Sequence, residues 1–453
     1  MLRVSLSRRC GCRCLLVAAL AAGAMPWTVL GQPVAFEGLG FLDGFPQISV
    51  AWGISADGST IVGESISGVS QPGTEAWRRV GSGTISPLGT LNPTFFSSAV
   101  FGVSGDGRYA AGQSLQVDGG INLYNVGVRC DTQGLPNPKW RSLGALPGAV
   151  NNSTAFAISA DGSRLAGVAK SIVNNEETDQ AFRYVVTSDS PFAGTMTGLG
   201  FLPGTTTSQG SAISADGNIV VGASLNPFTG FVHAFTWTAP GPLQALPEPP
   251  GMTGLSVASG ISGDGSTIVG GYAAGGAGQR AVRWTSAYGG ELLPELAGAP
   301  ATPNSGARGA SGDGRIIVGY ATSNDPTADG EAVAWTYRGV MPIKAALTSA
   351  GVDTAGWSLF WANAVSADGR IVVGYGRDPQ GRTQAWRAVL PDELDFNIDG
   401  VVNPDDLGDY ITDYFQLDAK NEPVCDQCDF NLDRVLNPDD LGDFITAYFQ
   451  FPF

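Results

Sequence analysis

One phrase, Ser-Ala/Gly-Asp-Gly, occurs seven times in this chain, and any fold it adopts must accommodate seven copies. They begin at Ser55, Ser104, Ser159, Ser214, Ser262, Ser311 and Ser366. The steps between their aspartates (Asp57, Asp106, Asp161, Asp216, Asp264, Asp313, Asp368) are 49, 55, 55, 48, 49 and 55 residues. Six residues after each Asp stands a glycine: Gly63, Gly112, Gly167, Gly222, Gly270, Gly319 and Gly374. A fixed phrase at this period marks a repeat architecture, whose units bury their apolar faces only by stacking on one another.

Each copy reads as four strands. Residues 50–54 alternate into an Asp-Gly turn, the strongest short hairpin signal, and residues 59–64 return. A third strand carries Ala76-Trp77-Arg78, matched later by Ala181-Phe182-Arg183-Tyr184 and Ala385-Trp386-Arg387. A fourth holds Leu88-Gly89-Thr90-Leu91, echoed at Leu143-Gly144-Ala145-Leu146 and Leu199-Gly200-Phe201-Leu202. Glycine, 64 of 453 residues, and a charged fraction of only 15% disfavour long helices. The last copy lacks the Leu-Gly-x-Leu element, while Leu39-Gly40-Phe41-Leu42 precedes the first copy without a sheet of its own. An amino-terminal strand that completes the last sheet would close a ring, so the expected fold is an all-β seven-bladed β-propeller over residues 32–390.

This motif set resembles the exported bacterial repeat family named for its His-Ala-Phe triplet, present here as His233-Ala234-Phe235 before Thr236-Trp237. The resemblance covers about 355 residues and implies a propeller and export, but no activity. Only one copy keeps the His, and Cys130 takes an aromatic position in the second. A residue repeated in every blade is spread around a ring, so the seven aspartates read as turn acceptors and not as a catalytic centre. The hairpin is also similar to the structural aspartate box of sialidase-type propellers, with Gly here directly after Asp.

Residues 1–31 read as an export signal. Arg3, Arg8, Arg9 and Arg13 precede an apolar stretch broken by Pro26, with cleavage after Ala24 or Gly31. Cys10, Cys12 and Cys14 leave with it, and no other window is long and apolar enough to span a bilayer. The mature chain is expected to be secreted or at the cell surface, without a membrane span. The net charge of −16 is concentrated in residues 392–453, which carry −14. That balance repels a phosphate backbone and excludes nucleic acid as a partner.

The acidic tail, residues 391–453, is a duplication. Residues 403–416 recur at 437–450, changed only at Phe444 and Ala447. An oxygen-rich loop precedes each copy. Calcium loops of twelve residues present ligands at positions 1, 3, 5, 7, 9 and 12. In the first loop these are Asp395, Asn397, Asp399, the Val401 carbonyl, Asn403 and Asp406; in the second, Asp429, Asn431, Asp433, the Val435 carbonyl, Asn437 and Asp440. Gly400 stands at the sharp turn of the first loop, whereas Arg434 replaces it in the second, so two calcium ions are expected with the second held more weakly. Leu407, Tyr410, Ile411, Tyr414 and Phe415, with their counterparts, recur at helical spacing after each loop.

This tail resembles a type I dockerin, in the cysteine-bearing form found at the ends of exported planctomycete-type proteins. The resemblance implies calcium-dependent folding, a partner surface at Pro404, Asp405, Pro438 and Asp439, and a cohesin-like or other envelope protein as partner. Cys425 and Cys428 form a CxxC without further zinc ligands nearby, which favours a local disulfide. Cys130 is then an unpaired core residue.

Three functions remain open. The first is a non-catalytic propeller that binds a polysaccharide or protein and is anchored by its tail. The second is a tethered polysaccharide hydrolase, with Glu64, Glu75, Glu248 and Glu331 as the carboxylates to test. The third is a repeat adhesin whose tail is a calcium-stabilised cap. The only histidine is His233, in a repeat strand, so a Ser-His-Asp centre has no spare imidazole.

Overall fold

The computed structural model describes residues 33–70, 73–92, 94, 97–117, 123–133, 139–274, 278–286, 289–322, 330–396, 402, 404–415, 428–430 and 436–450. The expected signal segment, with Cys10, Cys12 and Cys14, lies outside them. Seven four-stranded antiparallel sheets form the body. Blades one to six span residues 49–89, 98–142, 153–198, 207–245, 254–292 and 305–342. Blade seven combines three strands of residues 358–389 with the amino-terminal strand Ala35–Gly40, which pairs antiparallel with Thr383–Val389 (Glu37 opposite Arg387). The first strand of every blade touches the first strands of both neighbours, and that of blade one touches blade seven, so the first strands are innermost and the ring is closed. The chain is a seven-bladed β-propeller.

The Ser-x-Asp-Gly turns show why the phrase recurs. In blade one the Ser55 hydroxyl donates to Asp57 at 2.5 Å, the same carboxylate accepts the Ser59 N–H at 2.9 Å, and Ser55 Oγ accepts the Thr60 N–H at 2.9 Å. The turn glycine adopts a φ of 69–79° in all seven copies, the left-handed region that glycine tolerates without strain. The turns also bond to one another. Ala56, Gly105, Ala160 and Ala215 each donate a backbone N–H to the next blade's turn; Asp264, Gly312 and Ala367 continue the series, and Ala367 returns it to Ala56. Seven hydrogen bonds of 2.9–3.2 Å thus run full circle.

A second inter-blade bond was not anticipated. Six blades carry a buried serine eight residues before the turn Asp: Ser49, Ser98, Ser153, Ser208, Ser256 and Ser305. Each accepts a backbone N–H from the third strand of the preceding blade, such as Ala76 to Ser98 at 3.0 Å. Ser49, Ser98, Ser153 and Ser208 also donate to Gly40, Gly89, Gly144 and Gly200 of the Leu-Gly-x-Leu elements. This corrects the reading of those elements as strand interiors. Strands Lys139–Ser142 and Phe192–Gly198 end before Leu143 and Leu199, and Ser86–Gly89 ends within its copy. The glycines have φ of 67–86°, which turns the chain out of the sheet and aims their carbonyls at the next blade.

In blade six the Leu-Gly-x-Leu element is replaced by a helix the sequence reading missed, α1 (Ile343–Ser349), whose Ile343 and Leu347 fill the wedge against blade seven. The tail contributes helices α2 (Pro404–Tyr414) and α3 (Pro438–Gln450). Tyr410 and Phe444, equivalent in the duplication, stack face to face at 3.7 Å in their shared core. That core extends to the propeller through Tyr337 of blade six, which meets Phe430 edge-on at 5.3 Å, while the Arg315 guanidinium lies 4.3 Å from the Phe430 ring. Cys130 is a free, fully buried thiol packed between blades one and two.

Candidate functional site

Every innermost strand is interrupted by a β-bulge at the same place. The extra residue lies five positions before the turn Asp: Trp52, Phe101, Phe156, Ser211, Ser259, Arg308 and Asn363. A bulged residue leaves the ladder and its side chain is re-aimed, here on the strands that surround the axis. The bulge also accounts for the glycine six residues after each Asp. A Cβ at Gly63 would overlap the Val50 carbonyl oxygen pushed across by the bulge, and the same collision recurs at Gly112, Gly167, Gly222, Gly270, Gly319 and Gly374.

The ring of bulge residues is one-sided. Phe156, Phe101 and Trp52 contact in sequence, with centroids 5.4 and 6.1 Å apart, and Trp52 continues to Tyr375 at 6.3 Å. Blade seven has a second bulge, beside which Trp361 stacks on Tyr375 at 6.2 Å and reaches Tyr320 at 4.0 Å. The Arg308 guanidinium sits 4.0 Å from the Trp361 ring centroid and has no carboxylate partner among the described residues. Burial pulls its pKa below the ordinary arginine value. Blades four and five present only Ser211 and Ser259. Asn363 donates to the Ala51 carbonyl at 2.8 Å, and its buried Oδ1 receives no hydrogen bond among the described residues.

The candidate carboxylates are dispersed. Glu64 accepts from Trp52 Nε1 at 3.0 Å and Thr74 Oγ1 at 2.8 Å. Glu75 is paired with Ser65, the residue beside Glu64, so the two acids leave opposite faces of blade one. Glu248 lies 3.7 Å from His233 Nδ1 in blade four, and Glu331 is in blade six. His233 itself stacks edge-on against Phe231 at 4.0 Å.

In the tail, five of the twelve expected calcium positions are described. Asp395 is 2% exposed, and Asp406 and Asp440 are fully buried. Asn437 and Asp440 cap α3 reciprocally: Asn437 Oδ1 accepts the Asp439 N–H at 2.8 Å and Asp440 Oδ2 accepts the Asn437 N–H at 2.9 Å. Asp429 is half-buried. Asn397, Asp399, Val401, Asn403, Asn431, Asp433 and Val435 lie outside the described residues. Pro404, Asp405, Pro438 and Asp439 are all exposed at the helix starts. Cys428 is disulfide-bonded, and Cys425 lies outside the described residues. No described helix is long and apolar enough to cross a membrane.

No family model matches the chain, and no curated protein matches it in sequence. Among solved structures it is similar to TolB from Acinetobacter baumannii, at 10% identity and a TM-score of 0.39, covering 74% of this chain and 64% of that one. It is similar to puromycin hydrolase at 11% identity and a TM-score of 0.47, over 79% of this chain and 55% of that one. It is also similar to the β-propeller domain of the Trilobed protease from Pyrococcus furiosus, at 10% identity and a TM-score of 0.45, over 79% and 96% of the two chains.

Proposed function

We propose that this chain is an exported, non-catalytic propeller that binds a polysaccharide at the mouth of its channel and is anchored to a cell-surface or extracellular complex by a calcium-dependent, dockerin-like tail. The observation that carries the binding half is the one-sided ring of bulge residues. Symmetry alone would repeat one side chain seven times; instead an aromatic arc from Phe156 to Trp361 faces two serines, flanked by Arg308 and Asn363. Flat apolar faces with a few convergent polar groups are the composition of a ligand site, and aromatic rings cover the flat faces of sugars. The dispersal of Glu64, Glu75, Glu248 and Glu331 disfavours hydrolysis, which needs two carboxyl groups about 5–9.5 Å apart.

The anchoring half rests on the tail. Asp395, Asp406 and Asp440 are buried and stand at positions 1, 12 and 12 of the two oxygen-rich twelve-residue loops, the spacing at which calcium loops present their ligands. Their oxygens, with the remaining loop positions, would hold two calcium ions, which supply the neutralising charge. The exposed Pro404-Asp405 and Pro438-Asp439 pairs, and Phe415 and Phe449 at 63% and 67% exposure, form near-equivalent surfaces for a cohesin-like partner.

The test is a polysaccharide panel against the full chain by calorimetry, with product analysis in parallel. Trp361→Ala and Arg308→Ala should each weaken binding of the retained polysaccharide at least tenfold without changing its length. Shortened products would replace this reading with the tethered hydrolase. Capture of an envelope protein in calcium and its release by chelator tests the tail.

A further inference from the structure

We propose a second binding site, for a sulfate or phosphate group, in the cleft between blades two and three. Strand register assembles it. In blade two Tyr109 lies opposite Asp131, which lies opposite Lys139; one row along, Ala111 lies opposite Arg129, which lies opposite Arg141. Opposed residues on paired strands share a face, so Tyr109, Arg129, Asp131, Lys139 and Arg141 all project from one side of the blade. That side meets blade three: Arg129 donates to Asp189 at 2.5 Å, and its guanidinium lies 5.9 Å from the Phe192 ring. Between the two blades is a cavity of 210 Å³, also lined by Arg108.

Three observations point to an anion there. First, Arg129 and Arg141 are like charges placed directly across a strand pair, a repulsive arrangement, and Asp189 pairs with Arg129 alone, which leaves the Arg141 charge uncompensated among the described residues. Secondly, the ion pairs do not exhaust the cations. Arg108 pairs with Asp131 at 3.2 Å and Arg129 with Asp189, while Lys139 and Arg141 have no ion-pair partner among the described residues. The cleft is thus net positive in a chain of charge −16. Thirdly, Arg129 is only 5% exposed, its guanidinium carbon lies 3.5 Å from the Tyr109 ring centroid, and its Nε has no acceptor among the described residues. A tetrahedral oxyanion supplies several acceptors at once. Guanidinium forks recognise it with paired N–H groups, and Lys139 adds a point charge. The cavity is smaller than the roughly 300–1,000 Å³ of drug-sized sites, which fits one anionic group on the end or side of a ligand.

The proposal is independent of the channel and of the tail. Calorimetry of the full chain at low ionic strength, with inorganic sulfate and inorganic phosphate in separate arms, should give saturable one-to-one binding; the tighter anion names the group. The double variant Lys139→Ala/Arg141→Ala should weaken it at least tenfold, with a thermal melt no lower than the parent's, because both side chains are exposed on an outer strand and loss of Arg141 relieves its repulsion with Arg129. Asp189→Asn, which removes the competing carboxylate, should tighten it. Absence of saturable binding in both arms, or a double variant that binds like the parent, overturns the proposal.

Discussion

The Ala367 backbone N–H donates to the Ala56 carbonyl at 2.9 Å, across the seam where the last blade meets the first. The same seam is held by Ser49, which accepts the Ala385 N–H at 3.0 Å and donates to Gly40 at 2.7 Å. Both partners of the Ser49 hydroxyl are backbone groups of blade seven, so its loss leaves a buried N–H without an acceptor. We expect Ser49→Ala to cost about 1–3 kcal/mol in denaturant unfolding, the penalty for one buried unsatisfied donor. Ser98→Ala, which breaks the same clamp between blades one and two, should cost a similar amount. A neutral Ser49→Ala beside a destabilised Ser98→Ala would mean that the Ala367–Ala56 bond and inter-blade packing hold the seam without the Ser49 clamp.

Two glycine replacements should act in opposite directions. At Gly167 a Cβ would strike the Thr154 carbonyl, which is fixed by the bulge at Phe156 and belongs to backbone that cannot swing aside. Gly167→Ala should therefore lose about 1–3 kcal/mol, as overpacked sites do. Gly408 lies exposed inside α2 with nothing within 4 Å of an added Cβ. Gly408→Ala should gain about 0.5–1 kcal/mol for the tail helix, read from the far-UV signal during unfolding.

The blade count and the closing strand were legible because each depends on local pattern: an Asp-Gly turn, an alternating return strand, and Leu39-Gly40 left without a sheet. The inter-blade contacts were not. Ser98 is eight residues before its turn Asp, and serine at a strand start carries no signal of a partner 22 residues away on another blade. The bulge left a trace in the glycine six residues after each Asp, but the trace gives a steric requirement without naming the carbonyl that imposes it. The channel residues were missed for the opposite reason. Trp52, Ser211 and Arg308 occupy one structural position with unlike side chains, and a search for repeated residues passes over the position where the repeats differ. Helix α1 was missed because Lys344-Ala345-Ala346-Leu347 takes the place of the Leu-Gly-x-Leu element, after an intact fourth strand, at a single blade.

Acid should loosen the turns before it reaches the blades. In Asp57, Asp161 and Asp264 partial burial acts to raise the carboxyl pKa, but hydrogen bonds from the serine hydroxyl and turn amides outweigh it; in Asp106 and Asp216 the serine hydroxyl is the largest influence. All five are held below the ordinary value of 3.8. A depressed folded pKa means that the unfolded chain binds the proton first on acidification. The stability contributed by these groups is present above 3.8 and is lost as pH falls through the folded values. We expect unfolding free energy to decline below about pH 4. Asp161→Asn should shrink that slope, measured by denaturant unfolding at successive pH values.

Calcium should bind the full chain in two unequal steps. The first loop has Gly400 at the sharp turn and the second has Arg434, both outside the described residues. A side chain held at positive φ costs on the order of 1 kcal/mol, roughly fivefold in affinity, and the arginine charge opposes the ion further. Arg434→Gly removes both penalties and should strengthen the weaker step by at least that factor in calorimetry, leaving the stronger step unchanged. Chelator should lower the helical signal of α2 and α3 while the β-sheet signal of the propeller persists, because the stacked Tyr410–Phe444 pair joins helices whose starts carry the buried Asp406 and Asp440. Equal steps before and after the substitution would show that the arginine is accommodated by a different turn. An unchanged helical signal in chelator would show that packing against Tyr337 and Arg315 suffices to hold the tail.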